Sequence, residues 1–543
     1  MNLVTQLMQD QWWATRWLEI SDRAGALAAV NFSQWRCAGA RGPEPPATTG
    51  ASYHSTLGLP NGLGQPVACN DLFLAIAHPG AQNVQSAGGV SFRLPCYDRF
   101  APGGSIRTRE FILGAAPADG VRRAFLGYID ATRATPARMI CLVNDWYWKD
   151  KSRPIEAIRA LVQVKQETGI PIDSLTLDEG WDTNWDASTG LWGRLDPVRF
   201  PGGWESVEAA ARPADIAVSL WFGPIGGYSL RAARLEIARK FGFEVNGDKL
   251  CLAGPRYHSR VAAVFADWAR RGMDYIKVDG FWPNCPQVDH GHLVGERGRI
   301  QQMDALIAVF DAWRRERGNL VIGYTSGSNP SPFWLQHCEF VWRGGVDDAF
   351  AGAGEPFDRY ATFIDGCLQQ QRDTELPPSA AVTFDIVQDR VRGSSDAAFE
   401  RNAWWLAART SLHHDWYVQA ADLTTERWRL LARTIEWAKT HARAFRFSRM
   451  VGGDPRQGQL YGFAADDMGA GTLALRNPAA EPRRLETTLA DLLDLSTAER
   501  SRSVSLRSVY GPAGSVATEC PADASWRIEL PPLGVALFEF ELR

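Results

Sequence analysis

The chain has 543 residues, too many for one small domain and enough for three or four units at roughly 150 residues each, fewer if one is a barrel. Its 58 basic and 62 acidic residues give a net charge of −4, with no basic run of the kind that releases counterions from nucleic acid. That balance argues against nucleic acid and membrane surfaces as partners, and hydrophobic and charged contents of 45% and 22% argue against a disordered chain.

The opening residues MNLVTQLMQDQWWAT lack a basic start followed by an apolar run, and no apolar stretch reaches the roughly 18 residues of a membrane span. Neither secretion nor membrane insertion is expected. The nine cysteines, at positions 37, 69, 96, 141, 251, 285, 338, 367 and 520, are scattered singly without a CxxC pair. This spacing predicts reduced thiols in a cytoplasm, with no zinc, no disulfide framework and no other cofactor. The 22 Trp stand out, because flat indole faces pack in cores and also stack on the C–H faces of sugar rings.

Residues 1 to about 118 hold short strand-like runs, AGALAAVNF, PVACNDLFLAIAHP, GVSFRLPCY and TREFILGA, separated by Gly, Pro, Asn and Ser. Their spacing predicts an N-terminal β-sandwich, and GVRRAFLGYIDATRA reads as a connecting helix that closes a domain of residues 1–135. PEPPATTGAS (43–52) reads as a surface loop.

From residue 136 the texture changes to apolar runs alternating with amphipathic stretches, the pattern of βα units. The strand candidates are MICLVND (139–145), SLTLDEG (174–180), AVSLWFG (217–223), YIKVDGF (275–281), LVIGYTS (320–326), EFVWRGG (339–345), AVTFDIV (381–387) and DWYVQ (415–419). Eight strands, each followed by a helix, over about 310 residues predict a closed (β/α)₈ barrel spanning 136–446. KFGFEVNGDKLCLAG, in the third unit, reads as an inserted excursion. After residue 446 the runs QLYGFAADD, GTLALRN, SVSLRSVYG, SWRIELPP and GVALFEFELR predict a C-terminal antiparallel β domain, 447–543.

In such a barrel the reactive groups stand at the C-terminal ends of strands. Strand two ends Asp178-Glu179-Gly180-Trp181, strand four ends Lys277-Val278-Asp279, and strand six ends at Arg343 with Asp347 and Asp348 close behind. Strand alternation sends Lys277 and Asp279 to one side and Val278 to the other. A single Asp past a strand is often only the cap of the next helix. Three carboxylates on alternate strands cost several kcal/mol each to bury unless ligands, Lys or Arg balance them, so a functional site explains them better. Separated carboxylates among tryptophans point to glycoside chemistry, one attacking the anomeric carbon and the other protonating the departing oxygen.

The chain resembles the α-galactosidases and raffinose synthases of glycoside hydrolase clan D, most closely the family 36 type. The motifs are LVNDWYW (142–148), LTLDEGW (175–181), VRFPGGW followed by SLWFGP, and DYIKVDGF (274–281), in order and at strand ends. The resemblance implies Asp279 as nucleophile and Lys277 as a contact to sugar hydroxyls. It likewise implies Asp178 and Glu179 as the pair binding the 4- and 6-hydroxyls, and Trp146 and Trp221 as pocket tryptophans; Arg343, beside the carboxylates, reads with Lys277 as holding sugar hydroxyls, and Trp181 as a further substrate contact. WRGGVDDAF implies Asp347 as acid/base, with Asp348 second. Glu179 replaces the family's second Asp, and Tyr324-Thr325-Ser326-Gly327 stands where its Cys-x-Gly-Gly-Gly-Arg loop is expected, so the bound sugar is galactose or a related pyranoside. Relatives of this kind often associate through their β domains, which makes a homo-oligomer an implication of the resemblance.

The expected activity is retaining, exo-acting hydrolysis of a terminal α-galactoside-type bond in an oligosaccharide or glycoside. The rivals are a transglycosidase of the raffinose synthase type, a magnesium-dependent barrel enzyme using Asp178, Glu179 and Asp279 as ligands, and a non-catalytic sugar-binding protein. Two histidine groups read blandly. His413-His414-Asp415 puts its imidazoles on opposite strand faces, and His290-Gly291-His292 has ligand spacing but no assigned Cys partner, so it reads as a loop over the barrel mouth.

Overall fold

A computed structural model describes residues 2–7, 12–21, 29–35, 40–41, 62–86, 89–98, 105–116, 120–185, 189–511 and 519–543. Cys37 and the loop 43–52 lie outside the described residues. The chain divides into two compact units, one of Met1–Pro136, Glu179–Pro197 and Leu220–Trp342, the other of Ala137–Asp178, Val198–Ser219 and Arg343–Arg543.

The central sheet is built from strands β1 (Ile140–Asn144), β2 (Ser174–Leu177), β3 (Ala217–Phe222), β4 (Tyr275–Val278), β5 (Val321–Tyr324), β6 (Phe340–Trp342), β7 (Ala381–Val382 and Phe384–Val387, split at Thr383) and β8 (His413–Tyr417). Its order begins at Ala381–Val382, runs through β6, β5, β4, β3, β2, β1 and β8, and ends at Phe384–Val387. Both ends of that order belong to the one segment 381–387, so the sheet closes on itself as an eight-stranded barrel. The registered pairs are parallel. β1, β2, β4, β5 and β8 are buried at every position, and of these β1 and β5 read as largely apolar runs, while β4 and β8 bury Lys277 and His413, His414 and Asp415 among apolar neighbours.

Helices α1 (Pro154–Thr168), α2 (Gly203–Ala211), α3 (Arg231–Lys240), α4 (Pro255–Arg270), α5 (Gly295–Glu316), α6 (Pro356–Gln369), α7 (Asp396–Ala408) and α8 (Thr425–Phe445) lie between and after the strands. The excursion after β3 holds α3 and a small hairpin, Val245–Asn246 paired with Lys249–Leu250.

Strand-rich regions flank the barrel. Toward the N-terminus, a seven-stranded antiparallel sheet includes Trp13–Ser21, Leu72–Ile76 and Phe111–Ala115, and a three-stranded sheet joins Ala29–Trp35, Gly89–Pro95 and Gln82–Ser86. Phe92 and Phe111, from the two sheets, meet edge-to-face at 4.9 Å, with both rings buried. The helix Val121–Ala131 follows where the sequence predicts it. Toward the C-terminus, six antiparallel strands from Arg449–Gly452 to Val535–Leu542 form one sheet, and Arg483–Thr488 pairs with Ser525–Leu530 in another. Tyr461, Phe463 and Leu537 of the larger sheet share an apolar core with Trp405 and Ala408 of α7.

Candidate active site

Asp279 follows β4 directly, and its N–H donates to the Phe222 carbonyl at the end of β3 (2.8 Å), which fixes the backbone where the strand ends. The carboxylate is half-buried and its oxygens are held by three donors. Thr325 Oγ1 donates to Oδ1 at 2.8 Å, Tyr228 Oη reaches the same oxygen at 3.4 Å, and Trp221 Nε1 donates to Oδ2 at 3.2 Å. Three donors from three segments restrict the rotation of the carboxylate, as an attacking group requires. Lys277 lies two residues earlier on β4, buried, in register with Trp221 of β3 and Gly323 of β5.

Glu179 departs from its expected place at the sugar. Its Oε1 accepts from the N–H of Tyr228 (2.9 Å), the N–H of Leu230 (3.4 Å) and Arg234 Nη1 (2.7 Å), and its Oε2 accepts from the N–H of Ser229 (3.1 Å). Side-chain reach supplies the reason: one methylene more than Asp carries the carboxylate to the start of α3, where backbone N–H groups without helical partners take it up. Burial pushes the Glu179 carboxyl up, but the Ser229 N–H, the Arg234 guanidinium and the Tyr228 N–H outweigh it and hold the group below its ordinary value. Arg234, fully buried, also donates to Asp182 (2.7 Å), so one guanidinium joins two buried carboxylates. Glu179 therefore positions the loop that carries Tyr228, and Tyr228 in turn reaches Asp279. Gly227, at φ +79°, makes this approach possible, since a Cβ there would meet Arg234 Nη1, Glu179 Oε1 and Trp221.

The tryptophans divide. Trp181 is fully buried, donates to the Trp221 carbonyl (2.8 Å) and packs against Trp192, Phe265 and Trp268. It is a core residue, and the expectation that it touches sugar is corrected, because no face of the ring is open. Trp221 is also buried and acts through its N–H on Asp279. Trp146 keeps a half-exposed ring, with Lys151 Nζ 5.1 Å from its centre.

In the other unit, Asp178 directly follows β2, buried, accepting from Asn144 Nδ2 (2.9 Å) while its own N–H donates to Asp145 Oδ1 (2.7 Å). The Asn-Asp pair of LVNDWYW thus orients Asp178, a role for Asp145 that the sequence motif does not disclose. Burial pushes the Asp145 carboxyl up, opposed by Lys151 and Arg199, whose Nη2 lies 3.4 Å away.

Arg343, expected at the sugar, is fully buried, with its guanidinium between the rings of Phe363 and Phe384. It donates to the carbonyls of Gly344 (2.6 Å), Val346 (3.1 Å) and Asp347. It clamps the backbone of the loop that presents Asp347, and its donors are turned to carbonyls rather than outward. The Asp347 side chain is exposed. Asp348 is half-buried and held by Arg390 Nε at 2.8 Å, so its carboxylate is already engaged by the protein.

The two histidine groups also resolve. His414 Nδ1 meets Asp385 Oδ2 at 2.6 Å, with both side chains buried. The reading that left His290 and His292 without thiol partners is overturned: Cys251 Sγ lies 3.1 Å from His292 Nε2, and Cys285 Sγ 3.4 Å from His290 Nδ1. Spacing along the chain hides this, because Cys251 and His292 are 41 residues apart.

No family model matches the chain, and no curated protein matches it. Solved structures do. A variant of the GH36 α-galactosidase AgaA from Geobacillus stearothermophilus, in complex with stachyose, aligns at a TM-score of 0.62 and 14% identity, over 100% of this chain and 81% of its own. The galactosidase domain of the α-galactosidase–sucrose kinase AgaSK aligns at 0.62 and 11% identity, over 100% and 80%. The α-galactosidase from Lactobacillus brevis aligns at 0.60 and 12% identity, over 99% and 77%. At such identities the likeness is one of fold, and it extends over the barrel and both strand-rich regions.

Proposed function

We propose that this protein is a glycoside hydrolase that removes a terminal α-linked galactose, or a closely related pyranoside, from an oligosaccharide or glycoside with net retention. The reading assigns Asp279 as nucleophile and Asp347 as acid/base. Asp279 Oδ attacks the anomeric carbon and the glycosidic C–O bond breaks, while the departing oxygen takes the Asp347 proton. Water then gives a proton to Asp347 and attacks the same carbon, releasing the sugar and restoring both carboxyl groups. Lys277 and Asp178 are assigned to sugar hydroxyls, and the half-exposed ring of Trp146 to an apolar sugar face.

The observation that carries this reading is the setting of Asp279: the end of a barrel strand, half-buried, with Trp221, Tyr228 and Thr325 on its oxygens. The shared fold supports it, since structures of that fold are α-galactosidases crystallised with stachyose, raffinose and 1-deoxygalactonojirimycin. A magnesium site on Asp178, Glu179 and Asp279 is disfavoured because four N–H donors already occupy the Glu179 oxygens. The same reading takes residues 1–135 and 447–543 as β-sandwich domains flanking a 136–446 barrel. It takes the compartment as cytoplasmic, in keeping with eight free cysteines among the described residues.

Turnover of 4-nitrophenyl α-galactoside tests the assignment. Asp279→Asn removes the attacking oxygen but keeps acceptor and shape on one side, so kcat should fall by about a thousandfold or more with the thermal midpoint little changed. Activity within about tenfold of the parent would overturn it. Product analysis with added sucrose separates hydrolysis from transfer: free galactose supports the proposal, and a galactosyl-sucrose product as the main species would overturn hydrolysis.

A further inference from the structure

Four buried metal-ligating side chains gather in one of the two units, and none of them has a role in the reaction assigned above. Cys251, Cys285, His290 and His292 are only 4 to 8% exposed, and one ligand atom from each lies within 4.8 Å of the other three. A tetrahedral zinc with bonds of about 2.3 Å to sulfur and 2.0–2.1 Å to nitrogen spaces its ligand atoms about 3.3–3.8 Å apart. The sulfur–nitrogen pairs at 3.1 and 3.4 Å are close to that spacing. We infer that these residues form a closed structural Cys₂His₂ zinc site.

The chemistry of the donors fits. His292 Nδ1 lies 2.7 Å from the Leu293 carbonyl, an acceptor only, so the ring proton sits on Nδ1 and Nε2 presents a lone pair toward Cys251. Binding releases one proton from each thiol, and two thiolates with two neutral imidazoles bring Zn²⁺ to zero net charge, which suits a buried position. Thiolate sulfur with imidazole nitrogen selects zinc over magnesium or calcium, and four protein ligands leave no open coordination position for substrate or water.

The place in the fold gives the site a purpose. Cys285, His290 and His292 belong to the 279–294 connection between β4 and α5, which has no helix or strand of its own and begins with Asp279. Connections of this length rarely hold one conformation unless something ties them down. Cys251 follows the hairpin of the β3 excursion, and the two segments also meet through Gln287 Nε2 to Asn246 Oδ1 (3.2 Å) and Lys249 Nζ over the Trp282 ring (5.0 Å). A zinc ion at the four ligands pins the loop after strand four to the excursion that carries Tyr228. It is a positioning device, and its existence does not depend on the reaction proposed above.

The test uses the full chain without a histidine tag, purified with reductant, incubated with zinc sulfate and freed of excess metal. Elemental analysis should give about one zinc per chain, falling to below about a tenth in Cys251→Ser/Cys285→Ser. Because that variant could fail to fold, the parent chain loaded with cobalt(II) gives an independent reading. Visible bands of tetrahedral cobalt together with a near-ultraviolet thiolate-to-cobalt charge-transfer band support the site. Stripping the metal should speed amide hydrogen exchange across 279–294 by roughly tenfold. No retained zinc, octahedral cobalt without charge transfer, or a Cys251–Cys285 disulfide in the reductant-purified protein would overturn the inference. Unchanged exchange would overturn the anchoring role.

Discussion

Glu179 differs from the aspartate of the clan D pattern by one methylene, and the difference places its carboxylate at the start of α3, on four N–H groups. Its folded pKa is lowered below its unfolded value, so its ionisation contributes stability above about pH 4.5 that is lost as pH falls through the lower folded value. Glu179→Gln should therefore be less stable than the parent at neutral pH, with the gap narrowing as pH drops below about 4.5, measured by urea unfolding across that range. A constant gap would mean that the charge is not what Arg234 and the loop respond to. Gly227→Ala asks the same question of geometry. The added methyl meets Arg234, Glu179 and Trp221 at a positive φ, so kcat/KM should fall at least about tenfold with a stability loss of about 1–3 kcal/mol. At this scale the sequence discloses residue type and strand position, which place Lys277 on β4 and Asp279 directly after it. It does not disclose where a long side chain finds its partners, and for that reason Glu179, Trp181 and Arg343 were expected at the sugar while the structure commits them to loop and core.

Strands of the barrel were legible because burial on both sides favours largely apolar runs, and AVTFDIV reads as one strand even though Thr383 divides its pairing between two neighbours. Helix α6 is harder to see. Its apolar residues Phe357, Tyr360, Ala361, Ile364 and Leu368 keep helical spacing, but Asp358, Thr362 and Asp365 are buried beside them, which blurs the boundary between inner and outer face. Those carboxylates serve buried arginines: Asp365 pairs with Arg409 Nη1 (3.3 Å) and Arg476 Nη1 (3.4 Å) and accepts from Trp405 Nε1 (2.7 Å). Arg476 comes from the C-terminal sheet, so one side chain of α6 links that sheet to α7. Asp365→Ala leaves two buried guanidinium groups short of a counter-charge and should cost about 3–5 kcal/mol in denaturant unfolding. A loss below about 1 kcal/mol would show that Asp358, 3.9 Å from Arg476, and Asp385, which pairs with Arg409, suffice for both. The zinc ligands were illegible for a third reason, since the fold brings together cysteines from two successive βα repeats, Cys251 after β3 and Cys285 after β4.

On the scale of the whole chain, the order of textures gave the layout, strand-rich, then βα, then strand-rich again, because each class of element has its own hydrophobic period. Polar contacts join the apolar ones in connecting these regions, and sequence periodicity says nothing of them. Asp304 of α5 is an example: it meets His78 Nε2 (3.3 Å), Tyr97 Oη (2.9 Å) and Arg109 from the N-terminal strands. The central claim is chemical, that Asp279 becomes covalently bonded to the sugar. Asp347→Ala, given an aryl α-galactoside whose leaving group needs no protonation, should form the glycosyl-enzyme and then stall for want of a base. Intact-protein mass spectrometry should show a gain of one glycosyl group, and fragmentation of the tryptic peptide beginning at Val278 should place it on Asp279. An adduct on another carboxylate, or complete turnover of the substrate with no adduct formed, would contradict the account.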